Sequence, residues 1–482
     1  MQRRREKFKV EFTGNQHARA DILINRRRFL QTLAIAASTP ASSIAANRKS
    51  NHDGFGKLIA DPDGMLDLPA GFSYTVLARA GETMSDGLLI PGEADGMAAF
   101  PGDDGDIILV CNHENGPEER GHGPFGLRYE RLDRIDRERM YDFGGGSTPG
   151  LGGTTTIIYD PLERRTRRQY LSLAGTEINC AGGPTPWGSW LSCEETFSDS
   201  GPAFEYGQVV MREQKHGYVF EVPANASGPV APVPLKDMGR FEHEAAAVNP
   251  ASGVVYLTED RHRSLLYRYL PTVPGELHRG GRLQALAVAG RPSFDTRNWA
   301  AGTHMQPWQW HESGWIDLED VDNIANDLRL RGYADGAARF ARGEGLCYAD
   351  GSLFMTCTIG GPERLGQVFE YRLSPADGAP GEREDPGQLR LIAESRSDSL
   401  LRHADNITMS PWGDLVICED TADHCGLVGI TPDGRQYPLA DNAYTISELA
   451  GICFSPDDSV MFVNIQHDGL TLAISGPWSS SG

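Results

Sequence analysis

Six times along the chain the same short phrase returns: a glycine or polar residue, an apolar run, then a polar stop. The instances are Gly105–Glu114, Gly188–Glu195, Gly253–Asp260, Gly351–Thr358, Gly413–Asp420 and Ser459–Gln466. Each reads as a turn followed by a buried strand. A strand unit repeated in a chain with little helical periodicity has few solutions, and a propeller gives every repeat an equivalent place. The expected fold class is all-β: a six-bladed β-propeller with inserted loops and a few short helices. Only Arg128–Met140 and Asp320–Leu330 carry a helical pattern. Successive repeats lie roughly 45 to nearly 100 residues apart, so several blades must carry insertions. The longest, residues 270–339, holds Trp308-Gln309-Trp310 and is expected as a surface loop near the mouth of a site. Ring closure is expected from pairing of the first strand, near Tyr74, with the last, near Leu470.

With 66 acidic against 45 basic residues the formal net charge is −21. Phosphate-backbone recognition needs clustered Lys and Arg, so nucleic acid is excluded as an expected partner. An anionic substrate would need a source of positive charge, and metal ions bound among the carboxylates supply it most directly.

The N-terminus carries Asn25-Arg26-Arg27-Arg28-Phe29-Leu30, a modest apolar stretch Leu33–Ala37, and small residues through Ser42–Ala46. This pattern is that of a twin-arginine signal peptide. Its apolar stretch is too short to span a bilayer. The expected organisation is a signal over 1–46, a linker over 47–66, and a single propeller catalytic domain over 67–482. The expected partner is the twin-arginine translocation machinery and the expected location the periplasm or the secreted fraction, with no membrane span after signal removal. Of eight cysteines, Cys111, Cys193, Cys357, Cys418 and Cys453 sit in or beside apolar runs, where cysteine serves as a small buried hydrophobe. Cys180, beside Ala181-Gly182-Gly183, stands apart.

Four of the six phrases end in carboxylates: Glu114, Glu194 with Glu195, Glu259 with Asp260, and Glu419 with Asp420. Equivalent strand ends in a propeller converge on one entrance, and converging carboxylates repel unless protonated or metal-bound. A solvated rim of turn-capping acids is the plainer alternative. Three further stretches add polar groups. His243 and Glu244 follow Phe241, Arg342 and Glu344 sit among glycines before the fourth phrase, and Asp405-Asn406 precede the fifth. Arg342 suits bidentate phosphate binding, or else a surface ion pair. Asp405-Asn406 offers oxygen ligands for calcium, or else an Asx-turn.

The stretch Asn179-Cys180-Ala181-Gly182-Gly183-Pro184-Thr185-Pro186-Trp187-Gly188 through Glu195 resembles the signature of PhoX-type alkaline phosphatases. Asn112-His113-Glu114, Phe241–Glu244, Thr258–Asp260, Arg342–Gly345, Asp405-Asn406, Gly451–Asp457, Asn464–Gln466 and Gly476–Trp478 resemble further motifs of that family in the same order. The resemblance runs from about Leu68 to Trp478. It implies a propeller holding a cluster of Fe3+ and Ca2+ that hydrolyses small-molecule phosphate monoesters. It makes Cys180 a thiolate ligand of iron, and Glu195, Glu244 and Glu344 carboxylate ligands. Glu114, Glu194, Glu259, Asp260, Asp405, Asn406, Glu419 and Asp420 are further metal-ligand candidates. Asn112, His113, Asn179 and His243 are expected to support the ligands, and Arg342 to grip phosphate oxygens. The chain departs from the family pattern in its shorter length and in Gly343, where proline is more usual. A monomer is expected. Two other readings fit the acid-ended strands: a calcium-dependent propeller hydrolase of lactonase or phytase type, and a metal-stabilised propeller that binds a partner without turnover. Cys180 separates them, because a calcium-only site has no use for a thiolate.

Overall fold

The computed structural model describes residues 54–300 and 304–478. In it each repeated phrase is a strand: Ile107–His113, Ser189–Glu194, Val255–Glu259, Ser352–Cys357, Leu415–Glu419 and Val460–Ile465. Each pairs antiparallel with the strand before it in sequence. Those partners are Ala94–Pro101, Asn179–Pro184, His243–Val248, Gly343–Ala349, Ala404–Met409 and Leu449–Phe454. These six preceding strands are innermost, each packed beside the next and the last beside the first. The fold is all-β and propeller-like, with few helices.

The sheets themselves are less regular than the repeat. His311–Asp317 pairs with Gly281–Val288 on one side and Gln388–Glu394 on the other, fusing two units into one nine-stranded sheet. Asn179–Pro184 belongs to a sheet of only three strands. The last phrase lies in a sheet completed from the front of the chain. Ser73–Arg79 pairs with Leu470–Ser475, with Tyr74 opposite Ile474, as the closure argument expects.

Three expectations are corrected. The linker expected over 47–66 is built into a sheet from Leu58 onward. Leu58-Ile59 pairs with Leu68-Pro69, Leu66-Asp67 pairs with Asp441-Asn442, and Met65 and Leu66 are buried. The apolar side chains and an otherwise open sheet edge account for this. The expected signal, 1–46, lies outside the described residues, as does the linker to residue 53. The Arg128–Met140 pattern forms two single 3-10 turns, Leu132–Arg134 and Arg137–Arg139, in place of a helix. That segment buries only Ile135 and Met140, too little apolar surface to hold a short helix together. The second helix runs over Leu328–Ala334, later than its pattern suggests. Trp308 and Trp310 lie under the Arg390 guanidinium, against the outer strand Gln388–Glu394.

Adjacent sheets bury their apolar faces against one another, as Leu109, Ile157, Tyr159 and Phe462 do in one cluster. Each such side chain contributes roughly 1.5–3 kcal/mol. Near the axis the innermost strands approach too closely for side chains. A Cβ on Gly183 would lie 1.8 Å from the Ala246 carbonyl oxygen, so only glycine fits. All eight cysteines are free thiols. Among the described residues no helix is long and apolar enough to cross a membrane.

Candidate metal centre

A β-bulge falls at the same place in every innermost strand. The register shifts lie between Ala94 and Met97, Asn179 and Gly182, His243 and Ala246, Gly343 and Leu346, Ala404 and Ile407, and Ala450 and Cys453. A bulge bends the strand and re-aims one side chain. The first residue inside each bulge is Asp95, Cys180, Glu244, Glu344, Asp405 and Gly451 in turn. Five of the six bulges therefore begin with a carboxylate or thiol residue. Two residues earlier, Glu93, Ile178, Arg342 and His403 all have left-handed φ, from 47 to 54°. Such strain costs about 1–3 kcal/mol per residue and concentrates at functional sites.

The second strands supply another ring of polar side chains, just past their ends. It comprises Glu114, Glu195, Asp260, Thr358, Asp420 and Gln466. The two rings interlock. Ligand atoms of Cys180, Glu195 and Glu244 lie within 4.8 Å of one another, as do those of Glu244, Glu344 and Asp405, and those of Asp405, Asp420 and Glu448. Glu244 and Asp405 each belong to two groups, so the three form a continuous chain. Asp95 and Glu114 join it from the other side, both accepting from Gln466 Nε2, at 2.8 and 2.7 Å.

The Cys180 thiol donates to Glu244 Oε2 at 3.1 Å and faces the His243 carbonyl at 3.3 Å. Burial pushes this thiol well above its usual pKa, and Glu244, Glu195, Asp95 and Glu114 push it further. Arg342 binds Asp260 through Nε and Nη2, both at 2.5 Å, and Nη2 also lies 3.1 Å from Glu344 Oε1. Burial lowers its pKa, but Asp260 and Glu344 outweigh that and raise it. Its Nη1 is buried with no hydrogen-bond partner, as is Asp420 Oδ2. These orphaned atoms, with a donor set of one thiol and several carboxylates, fit a site that receives cations and an oxyanion.

Not every candidate points inward. Glu194, Glu259 and Glu419 sit one residue before the ring positions, on the other face of their strands. Glu194 accepts from the backbone of Glu177, Gly217 and Tyr218 and lies 2.6 Å from His216 Nδ1. Glu259 accepts from Tyr267 Oη at 2.8 Å. Burial raises its pKa to about 7. Glu419 accepts from the Arg402 backbone. These three brace the loops behind the centre.

The candidates for supporting roles bond to strands and loops around the acid and thiol groups. Asn112 Nδ2 donates to the Cys180 and Ala181 carbonyls at 3.0 and 2.7 Å. Asn179 links Thr176 to Ser192. His113 bridges the Gly92 carbonyl and Thr155 Oγ1, while His243 reaches the Gly239 carbonyl and stacks on Phe241. Burial lowers both imidazoles to about 4, leaving them neutral. Asn406 turns its Oδ1 to the Gly451 backbone N–H, at 2.5 Å. Asp95 and Glu448 lie outside the sequence motifs, and Gln466 belongs to one without being a ligand candidate. The signal that would have found Asp95 is the repeated acid-or-thiol plus small residue: Asp95-Gly96, Cys180-Ala181, Glu244-Ala245 and Glu344-Gly345. Beyond those small residues the axis opens into a cavity of about 420 Å³ lined by groups such as Met97, Leu346, Ile407 and Cys453, with no carboxylate in its wall.

A bulged axis lined by acids and a thiol offers the donor set of a metal-dependent enzyme on an all-β scaffold. Residues 53–469 match the family described as alkaline phosphatase PhoX, and the chain belongs to that family. It is a phosphoric monoester hydrolase of the alkaline phosphatase type. A solved structure of Pseudomonas fluorescens PhoX, in complex with vanadate as a transition state analogue, is similar over 88% of this chain and 98% of that one, with 18% identity and a TM-score of 0.64. The gluconolactonase XC5397 from Xanthomonas campestris aligns with 85% of this chain and 97% of that one at 11% identity and a TM-score of 0.40. No curated protein matches the sequence.

Proposed function

We propose that the chain hydrolyses small-molecule phosphate monoesters at an iron–calcium centre built on six propeller blades. The observation that carries the reading is the continuous chain of ligand groups, thiol-bearing at one end and all-carboxylate at the other. Ferric iron accepts a thiolate, whereas calcium takes oxygen alone. Iron is therefore assigned to the Cys180, Glu195 and Glu244 end. Calcium is assigned to the groups made by Glu344, Asp405, Asp420 and Glu448. Bound cations there would offset the carboxylate field and stabilise charge developing on the phosphoryl oxygens. The count of six blades is supported by the succession of six bulged innermost strands.

The protein's own groups do the rest. Asp260 fixes the Arg342 guanidinium from one edge and leaves Nη1 to donate to a phosphate oxygen. Thr358 Oγ1 donates to Glu344 Oε1 at 2.7 Å and orients that carboxylate. Cys180 must lose its proton for its sulfur to act as a ligand. The twin-arginine pattern supports export of the already folded protein to the periplasm or beyond; Arg26→Lys with Arg27→Lys would then leave the protein unexported. The monomer reading is checked by light scattering. The deciding experiment is elemental analysis joined to an aryl phosphate assay with and without added calcium. Iron with calcium-dependent turnover is expected, and a metal-free protein without turnover would sink the reading.

A further inference from the structure

The side of the centre next to Arg342 carries a further arginine, Arg364, on the loop that leaves the fourth phrase. The loop Thr358–Arg364 leaves the fourth phrase and ties several groups into one frame. Thr358 N donates to the Arg342 carbonyl at 3.2 Å, and Gly361 N donates to the Arg297 carbonyl at 2.9 Å. Trp299 Nε1 donates to the Ile359 carbonyl at 2.9 Å. The Arg364 guanidinium carbon lies 4.5 Å from the Trp299 ring centroid, and that of Arg297 lies 4.1 Å from it. The half-buried His262 ring meets Trp299 edge-on at 6.2 Å.

The charges around this frame are not equivalent. Arg342 is matched by Asp260 and Glu344, Arg261 by Glu242, and Arg297 by Asp295. Arg364 is exposed and, among the described residues, has no ion pair. Its sequence neighbour Glu363 is paired with Arg396 instead. A bare guanidinium on a chain of net charge −21, held in place by an aromatic ring, is a receptor for an anion rather than a solvating group. Trp299 joins Arg364 to His262, two residues past Asp260, so this guanidinium stands on the Arg342 side of the centre.

We infer that Arg364, held on Trp299, is a specificity subsite for phosphate monoesters whose leaving group bears a second anionic group. The inference rests on the phosphatase reading and on the role given to Arg342. Arg364 acts on binding of the leaving group, so discrimination shows in the ratio of two substrates and weakens with salt.

The test uses the metal-loaded full chain with phenyl phosphate and 4-carboxyphenyl phosphate, which differ by one carboxylate. The wild type is expected to favour the carboxylated ester. Arg364→Ala is expected to lower kcat/KM for that ester about three- to tenfold more than for phenyl phosphate. Arg364→Glu is expected to reverse the preference, and Trp299→Leu to weaken it. Arg342→Lys is expected to slow both esters alike. An unchanged ratio in both Arg364 variants, with turnover intact, overturns the subsite alone. No turnover of either ester by the wild type overturns the phosphatase reading and the subsite with it.

Discussion

The Cys180 thiol and the Glu244 carboxylate face each other across 3.1 Å, both wholly buried. They occupy equivalent bulges on neighbouring innermost strands, so one proton is shared where two ligand atoms converge. The surrounding acids hold that proton on sulfur. Loading iron at near-neutral pH is expected to release it, because the thiolate is the ligand form. Calorimetry in buffers of different ionisation enthalpy measures this release, and Cys180→Ser is expected to release about one proton fewer. The same variant is expected to lose iron and at least about 100-fold in kcat/KM together, since even outer partners of a metal ligand cost 10–100-fold. Full activity without iron would contradict the assignment.

Arg342 makes a sharper test of substrate binding. Lysine keeps the charge but cannot hold Asp260 through two nitrogens and still offer a third. Arg342→Lys is expected to lower kcat/KM by about 10²–10³, with metal content unchanged. Arg342→Ala is expected to lower stability as well, by about 3–5 kcal/mol, because Asp260 loses its buried partner. Thermal unfolding separates the two effects.

Stability should also respond to pH through His216. Its ring lies between Glu194 Oε1, at 2.6 Å, and Asp142 Oδ2, at 3.2 Å. Burial lowers its pKa, but Glu194 and Glu177 with the hydrogen bond to Asp142 raise it to about 10. A raised histidine stabilises the fold fully below its unfolded pKa, roughly 6.5. That contribution is lost as pH climbs toward the folded value. The melting temperature is expected to fall between these limits, and His216→Asn to flatten that slope. A slope identical in the variant would remove His216 from the account.

Gly451 fills the sixth bulge, where its five counterparts carry ligand groups. Its φ is +64°, and a Cβ there would lie 2.1 Å from the Asp95 carbonyl oxygen. Gly451→Ala is expected to destabilise by more than about 1 kcal/mol through strain and overpacking. Displacing Asp95 would also lower metal content. A melting curve and metal analysis of the one variant check both.

How far the sequence reveals this centre depends on where the bulges fall. Period-two alternation marks the second strands clearly, and all six are where their phrases lie. It cannot say which of two adjacent acids turns inward. Glu194 and Glu195, Glu259 and Asp260, and Glu419 and Asp420 are indistinguishable until the strand ends and the chain turns. Asp95 and Glu448 precede phrases rather than ending them, so a search for acids at strand ends passes over both. Arg364 and its ring partner Trp299 lie 65 residues apart in sequence, which no local pattern joins. The linker residues from Leu58 were legible as apolar but not as a sheet edge, because their partner strand lies near Asp441.

The pairing of Ser73–Arg79 with Leu470–Ser475 has a kinetic consequence. Contacts this distant along the chain form slowly, because a loop of nearly the whole domain must close before they return any free energy. Gln466, which joins Asp95 to Glu114, lies just before that final strand. The last stitch of the ring therefore also completes the wall of the centre. An unclosed chain would present a half-built ligand array, and holding metal is expected to act as proof that folding has finished.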